Sequence, residues 1–170
     1  KSKDDFSKIP GIPIAYWASE NAIDNYVDGK LVKEISRPKT GMTTADNNRF
    51  LRFWHEISIT KMKDDAKSAE EALISKMKWF PYCKGGGYKR WYGYNEYVVN
   101  WENDGFEIKN NIKPNGKKAA SVRNEDMYFK KIITWSTITS SIFSCRYVSN
   151  GHLFDSGGSS IKAKDNIEYL

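Results

Sequence analysis

The chain is poor in the residues from which active centres are assembled. Cysteine occurs twice, at Cys83 and Cys145, with no CxxC spacing, so the sequence offers neither a disulfide framework nor a cysteine zinc site. A reducing, cytoplasmic setting is the expectation. His55 and His152 are also the only histidines, far apart in sequence, and His55 sits in an aromatic run where a structural role is at least as natural as a chemical one. Carboxylates are scattered without metal-ligand spacing, and neither cysteine carries a nucleophile signature. No catalytic residue and no metal site is expected, which argues against an independent hydrolase. Apolar runs long enough to span a bilayer are missing, and KSKDDFSK at the start lacks the apolar core of a signal peptide, so no membrane partner is expected. The phosphate-loop pattern GxxxxGK[ST] and the dinucleotide pattern GxGxxG are absent too.

What is present is a core and an excess of positive charge. Of 170 residues, 39% are hydrophobic and 14% aromatic, enough for one domain, and 27 Lys and Arg against 21 Asp and Glu give +6. A basic balance favours an anionic partner such as nucleic acid. The chain opens on Lys1 and closes on KAKDNIEYL without a stop signal, so it is expected to be a single domain or part-domain cut from a longer polypeptide, with residues 1–13 (IPGIP included) as a linker edge.

The spacing predicts an α+β fold: a mixed, mostly antiparallel sheet with a few short helices. Helices are predicted for SENAIDNYV, capped by Ser19 and burying Ile23 with Tyr26 or Val27, for SAEEALISKM with Ser68 and Glu71 as a capping box, and for ENDGFEIKN and NEDMYFKK. Strands are predicted for LVKEISR, for YNEYVVNW with Tyr97, Val99 and Trp101 on one face, and for ITWSTITSSIF. Asn150-Gly151 reads as a hairpin turn, and Ile112 to Arg123 as an exposed, mobile basic loop.

Three loops carry the functional signal. KGGGYKRWYG combines Gly85 and Gly86, where backbone can approach a ligand, with Lys84, Lys89 and Arg90, and no acidic residue stands between Lys76 and Glu96. Interleaved aromatics, Trp91 and Tyr92 among them, offer stacking faces beside those cations. The glycines alone favour a flexible turn between two strands; the flanking cations shift the reading. In TGMTTADNNRF, Thr44, Asn47, Asn48 and Arg49 are residue types that read bases, although Asx turns explain Asp46, Asn47 and Asn48 equally well. FDSGGSSI taken alone reads first as a plain β-hairpin connection, and its hydroxyls, Ser159 among them, are a third candidate for phosphate.

The succession PGIPIAYW, ISRPKTGMTTADNNRFLRFWHE, KWFPYCKGGGYKRWYGYNEYVVNWENDG, ITWSTITSSIFSCRY and FDSGGSSI resembles the region behind the catalytic domain in PglX-type adenine-specific DNA methyltransferases of BREX phage-defence systems, relatives of the type IIG restriction-modification enzymes. The resemblance implies a non-catalytic target-recognition role: Lys84, Lys89 and Arg90 on phosphates, Trp91 and Tyr92 supporting or stacking, and Asn47, Asn48 and Arg49 facing double-stranded DNA. The family's S-adenosylmethionine-binding domain and its Asn-Pro-Pro-Tyr type motif are not in this chain, so that cofactor is implied for the parent enzyme and none for this segment. A second possibility is a docking module that joins the parent's own catalytic domain or another defence protein. Two departures stand out: Ala45 where the family pattern has glycine, a substitution that strains a positive φ, and Gly87 where relatives often carry a side chain.

Overall fold

The structure, a computed structural model, describes residues 2–140 and 142–162. The chain divides into two compact units, Lys1–Ile35 and Ser36–Leu170.

The smaller unit is built on three helical segments. In α1 (Lys3–Ser7), Ser2 and Asp5 exchange hydrogen bonds as a capping box, and Phe6 meets Tyr16 edge-on at 5.0 Å. α2 (Glu20–Asp28) begins where expected, with Ser19 Oγ accepting from Ala22 N–H at 3.1 Å. Ile23 is buried with Ile9 and Ala15, but Tyr26 and Val27 are exposed. This small apolar cluster covers one turn of the helix, and the following turn is left to solvent. The strand expected over Leu31–Arg37 is instead the short helix α3 (Val32–Ile35). Among the described residues no strand pairs with it, and its backbone bonds locally, as by Glu34 N–H donating to Leu31 C=O at 2.9 Å.

The larger unit bears out the α+β expectation. One sheet has the order β1 (Leu51–Phe53), β3 (Tyr97–Asn100), β2 (Trp79–Cys83), β6 (Leu153–Phe154), antiparallel except for the β2–β6 pair. The second is antiparallel, in the order β5 (Cys145–Val148), β4 (Ile132–Trp135), β7 (Ser160–Ile161). The short helix α4 (Asn47–Phe50) leads into β1, α5 (Ala69–Ser75) lies between β1 and β2, and α6 (Glu102–Lys109) between β3 and β4. Phe80, Val99, Met42, Phe50, Phe129, Leu153 and Phe154 form the core. Phe80 packs edge-on to Phe129, and Tyr128 to both Trp101 and Phe154, at 5.4 to 5.6 Å.

Several sequence expectations shift in informative ways. Ser68 caps α5, but the Glu71 carboxylate accepts from Lys67 N–H at 2.8 Å, one residue before the expected partner. On β3, Val98 and Asn100 are as buried as Val99, because both faces of this sheet are covered, and Trp101 lies beyond the strand, at the start of α6. The strand expected over Ile133–Phe143 stops at Trp135, leaving Ile138, Ile142 and Phe143 exposed, while Ser141 lies outside the described residues. The closing residues of KAKDNIEYL, 163–170, also lie outside them.

Asn150-Gly151 turns the chain without making a hairpin. β5 pairs with β4 in one sheet and β6 with β2 in the other, so this turn is a crossing between sheets. Gly151 has φ +93°, and a Cβ there would run into the carbonyl of Asp64. The FDSGG turn crosses back, from β6 to β7, and is likewise not a hairpin. Turn chemistry dictates a reversal of direction; strand partners are decided by the core. Between Ile112 and Lys118 the basic loop is exposed, and Ser121 ties its end to Thr43 through a pair of backbone hydrogen bonds. Among the described residues no helix is long and apolar enough to cross a membrane.

Candidate nucleic-acid interface

The three loops singled out in the sequence meet in the larger unit. The first is anchored by Met42, whose N–H donates to Phe154 C=O and whose C=O accepts from Ser156 N–H, both at 3.0 Å. Thr44 is buried, and its hydroxyl donates to Asn47 Oδ1 at 2.7 Å, so it holds Asn47 in place while Asn47 itself is exposed. Asp46 caps α4 by accepting from Arg49 N–H at 3.0 Å. Ala45 has φ +64°, the left-handed conformation that glycine would take more easily. Asn48 is exposed, and its carbonyl accepts from Arg52 Nη1 at 2.6 Å. Arg49 is exposed but pairs with Glu107 at 3.1 Å, which halves its value as a free cation.

The second loop, residues 84–96, joins β2 to β3. Gly85 lies against Gly157, where a Cβ would strike the Gly157 carbonyl, and Gly86 N–H donates to Ser136 Oγ at 3.0 Å. The glycines therefore serve close packing of one loop on another, and no glycine of the triplet has a positive φ. Further along, Trp91 (φ +66°), Gly93 (+125°) and Tyr94 (+59°) are all left-handed. Two non-glycine residues in that region within four positions store strain of a kind that gathers at functional sites. Trp91 and Tyr92 are 68% and 71% exposed, whereas Tyr82 at the start of the stretch is fully buried. The cations rest on aromatic faces: Lys84 over Tyr97 (5.7 Å), Lys89 over Tyr94 (5.3 Å) and Arg90 over Tyr88 (5.2 Å).

Beneath this loop lies Arg146, which sequence reading missed because nothing in its β-branched surroundings marks it. It is buried, stacks under Tyr94 at 5.1 Å and donates to Ser136 Oγ at 3.4 Å, while its Nε and Nη1 have no hydrogen-bond partner. Burial pushes its pKa down. Tyr147 N–H donates to Trp91 C=O at 2.8 Å, tying the loop to β5.

The third loop, after β6, is ordered by Asp155. Its Oδ1 accepts from Gly157 N–H at 2.5 Å and its Oδ2 from the Tyr82 hydroxyl at 3.2 Å. Burial and the Asp155 charge raise the Tyr82 pKa, keeping that hydroxyl a donor. Ser156 Oγ accepts from Thr43 at 3.2 Å; Ser159 is half-buried, its hydroxyl 3.0 Å from that of Thr137.

Two open clefts result. One, of about 410 Å³, is lined by Asn47, Asn48, Arg52, Phe53, Lys84 and Tyr97; the other, of about 470 Å³, by Lys84, Gly85, Gly86, Ile138, Asp155 and Ser156. Lys84 faces both. Arg52 and Tyr97 escaped the sequence reading, although their places on paired strands Arg52↔Val98 and Phe53↔Tyr97 bring them to this edge.

The histidines are not brought together as an acid-base pair. His55 is exposed and stacked on Phe53 at 5.4 Å, and His152 is buried with Nδ1 3.1 Å from Asn150 C=O. Cys83 is buried and its thiol is pushed up to about 12 by that burial, which removes it as a nucleophile.

No protein-family model matches the chain. It is 42% identical over 168 residues to the adenine-specific methyltransferase PglX of Lacticaseibacillus casei (strain Zhang), covering 97% of this chain and 14% of that protein. It is 40% identical over 167 residues to the adenine-specific methyltransferase BrxX of Escherichia coli O9:H4 (strain HS), covering 98% of this chain and 12% of that protein. Along nearly its whole length, therefore, the chain is related to one segment, about an eighth of the length, of the PglX-type adenine-specific methyltransferases of BREX systems.

Proposed function

We propose that this chain is a DNA-gripping, target-recognition part of a site-specific DNA adenine-N6 methyltransferase in a cytoplasmic phage-defence or restriction-modification system, with residues 1–13 at a linker edge. The observation that carries the reading is the convergence of three sequence-distant loops on Lys84, with Asn47 and Asn48 open on a cleft that Lys84 also lines, and with Lys89 and Arg90 on the same loop as Lys84 and unpaired by any carboxylate among the described residues. Lys84, Lys89 and Arg90 contact phosphates; Asn47, Asn48 and Arg49 face base edges; Trp91 and Tyr92 offer stacking faces; Gly85 and Gly86 shape the floor, and Ser159 acts behind it through Thr137. Such a surface offsets the few kcal/mol that unstacking a base costs.

The parent enzyme would use S-adenosylmethionine. The residues here do not fit it: the glycine triplet follows β2 but leads into an extended loop and then β3, without the helix N-terminus that cradles a nucleotide, and β2 lies antiparallel to β3. Methyl transfer is not assigned to any residue of this chain.

The test is duplex binding by the 170-residue chain as a function of salt. Replacing Lys84, Lys89 and Arg90 together by alanine is expected to reduce the slope of log K against log salt by about 2 to 3. An unchanged slope overturns the phosphate grip. It would favour a second reading, docking on the parent's catalytic domain, for which the exposed Ile138 and Phe143 speak. For Asn47 and Arg49, base reading requires altered sequence preference on substitution in the full-length enzyme, and a uniform loss across sequences rules it out.

A further inference from the structure

A third cavity, of about 320 Å³, lies on the side of β2 and β3 marked by Pro81 and Val98. Three aromatic rings, Trp54, Tyr92 and Tyr97, line it together with the polar groups of Asp64, Asn95 and His152. We propose that it is a pocket for a single unstacked nucleobase, one that carries an exocyclic amino group. The inference rests on the DNA-binding reading and adds a second, base-accepting site to it.

Size comes first. At the lower end of the roughly 300–1,000 Å³ range of small-molecule sites, the cavity suits one heteroaromatic ring system, not an extended cofactor. Its aromatic walls are held open. Trp54 N–H donates to Glu96 C=O at 2.9 Å, and the Glu56 carboxylate accepts from Phe53 N–H at 2.7 Å, so the backbone that carries the indole is fixed while the indole remains half exposed. Tyr92 is flanked by left-handed Trp91 and Gly93, and that backbone turns it to the cavity wall on the loop that also bears Lys89 and Arg90. The strain at Trp91 thus gains a purpose: one short loop presents cations outward and a ring to the cavity.

The polar groups then select. Among the described residues no lysine or arginine lines the cavity, so a phosphate finds no counter-charge from them and a neutral ring fits better. His152 Nδ1 points at the Asn150 carbonyl, which can only accept, so the ring proton sits on Nδ1 and Nε2 is left as an acceptor. Burial lowers the His152 pKa, which favours this neutral form. Asp64 is an acceptor as well, and Asn95 both donates and accepts. Ser149 lines the cavity too, and its hydroxyl donates to Asn150 C=O at 3.4 Å, which leaves its oxygen as a further acceptor. Three acceptors and one amide match an amino-bearing base edge better than the thymine edge, while stacking between aromatic rings supplies affinity.

The experiment titrates the 170-residue chain with the neutral deoxynucleosides, one at a time, monitored by NMR at low and high salt. Expected is saturable binding of deoxyadenosine, deoxyguanosine or deoxycytidine that is insensitive to salt and tighter than that of thymidine. Trp54→Ala is expected to weaken it by about tenfold or more, the loss typical of one stacking partner. Tyr92→Ala, at an exposed position, is the second variant should the first disturb folding, and Asp64→Asn should erase the preference over thymidine. A single strand carrying 5-iododeoxycytidine, which keeps the exocyclic amino group, should crosslink on irradiation to peptides holding Trp54, Tyr92 or Tyr97. Absence of saturable nucleoside binding, or crosslinks confined to other peptides, overturns the pocket. The Lys84, Lys89 and Arg90 triple variant separates the two readings: it should leave nucleoside binding unchanged, and an unaltered duplex salt slope beside intact nucleoside binding overturns the phosphate grip alone.

Discussion

Five residues, Trp79–Cys83, are buried without exception, and the ten that follow them, 84–93, are mostly open to solvent. Both halves are aromatic-rich, so composition does not separate them. What separates them is partners: β2 has a strand on each side, Tyr82 pairing with Tyr97 and with Leu153, whereas the loop's rings are faced by its own cations. In this stretch the aromatic residues that lie between paired strands are core, and those carried by the loop stay at or near the surface.

Substitutions can break this contrast at graded cost. Phe80→Ala, in the covered half, is expected to destabilise the chain by about 3 to 5 kcal/mol in denaturant melts, the range for a fully buried phenylalanine. A loss below about 1 kcal/mol would mean that the strand is not core. Gly85→Ala sits at the boundary, where the added methyl meets the Gly157 carbonyl, and should cost about 1 to 3 kcal/mol by overpacking; an unchanged melt would show that the two loops are not packed together. Ala45→Gly relieves a left-handed alanine and should stabilise by up to about 1 kcal/mol, the gain being reduced by the freer unfolded chain. Replacing Lys84, Lys89 and Arg90 by alanine should lower the melting midpoint only slightly, because the cations rest on rings at or near the surface, those of exposed Tyr88 and Trp91 and half-buried Tyr94 and Tyr97. A clear drop in that midpoint would make these cations structural.

Much of this contrast was legible in the sequence. Ser19 and Ser68 announce their helices because a hydroxyl one position ahead of a helical run has a local backbone target. The positive φ at Ala45 was likewise readable, since the family pattern has glycine there. The failures are non-local. LVKEISR alternates like a strand and yet coils into α3, as alternation guarantees no ladder partner. Asn150-Gly151 is a sound turn whose flanking strands find better partners elsewhere, in β4 and β2. Of the candidate site, the exposed cations and Asn47 could be read directly. Thr44 could not be told apart as a buried strut, nor Arg146 as a buried guanidinium beneath the loop, because burial of single polar groups is decided by distant chain.

The β2–β6 pairing has a further consequence, in time. Tyr82 meets Leu153, and Lys39 meets Ser160, so the ladders that close the larger unit join residues about as far apart as that unit allows. Such high contact order slows folding, because the long intervening loop must be ordered before the contact stabilises it. On a ribosome the Lys84 loop would emerge well before Gly157, the residue it packs against. The loop would then stay without the floor beneath it until the chain through Gly157 has been made, and its finished packing would appear only after that.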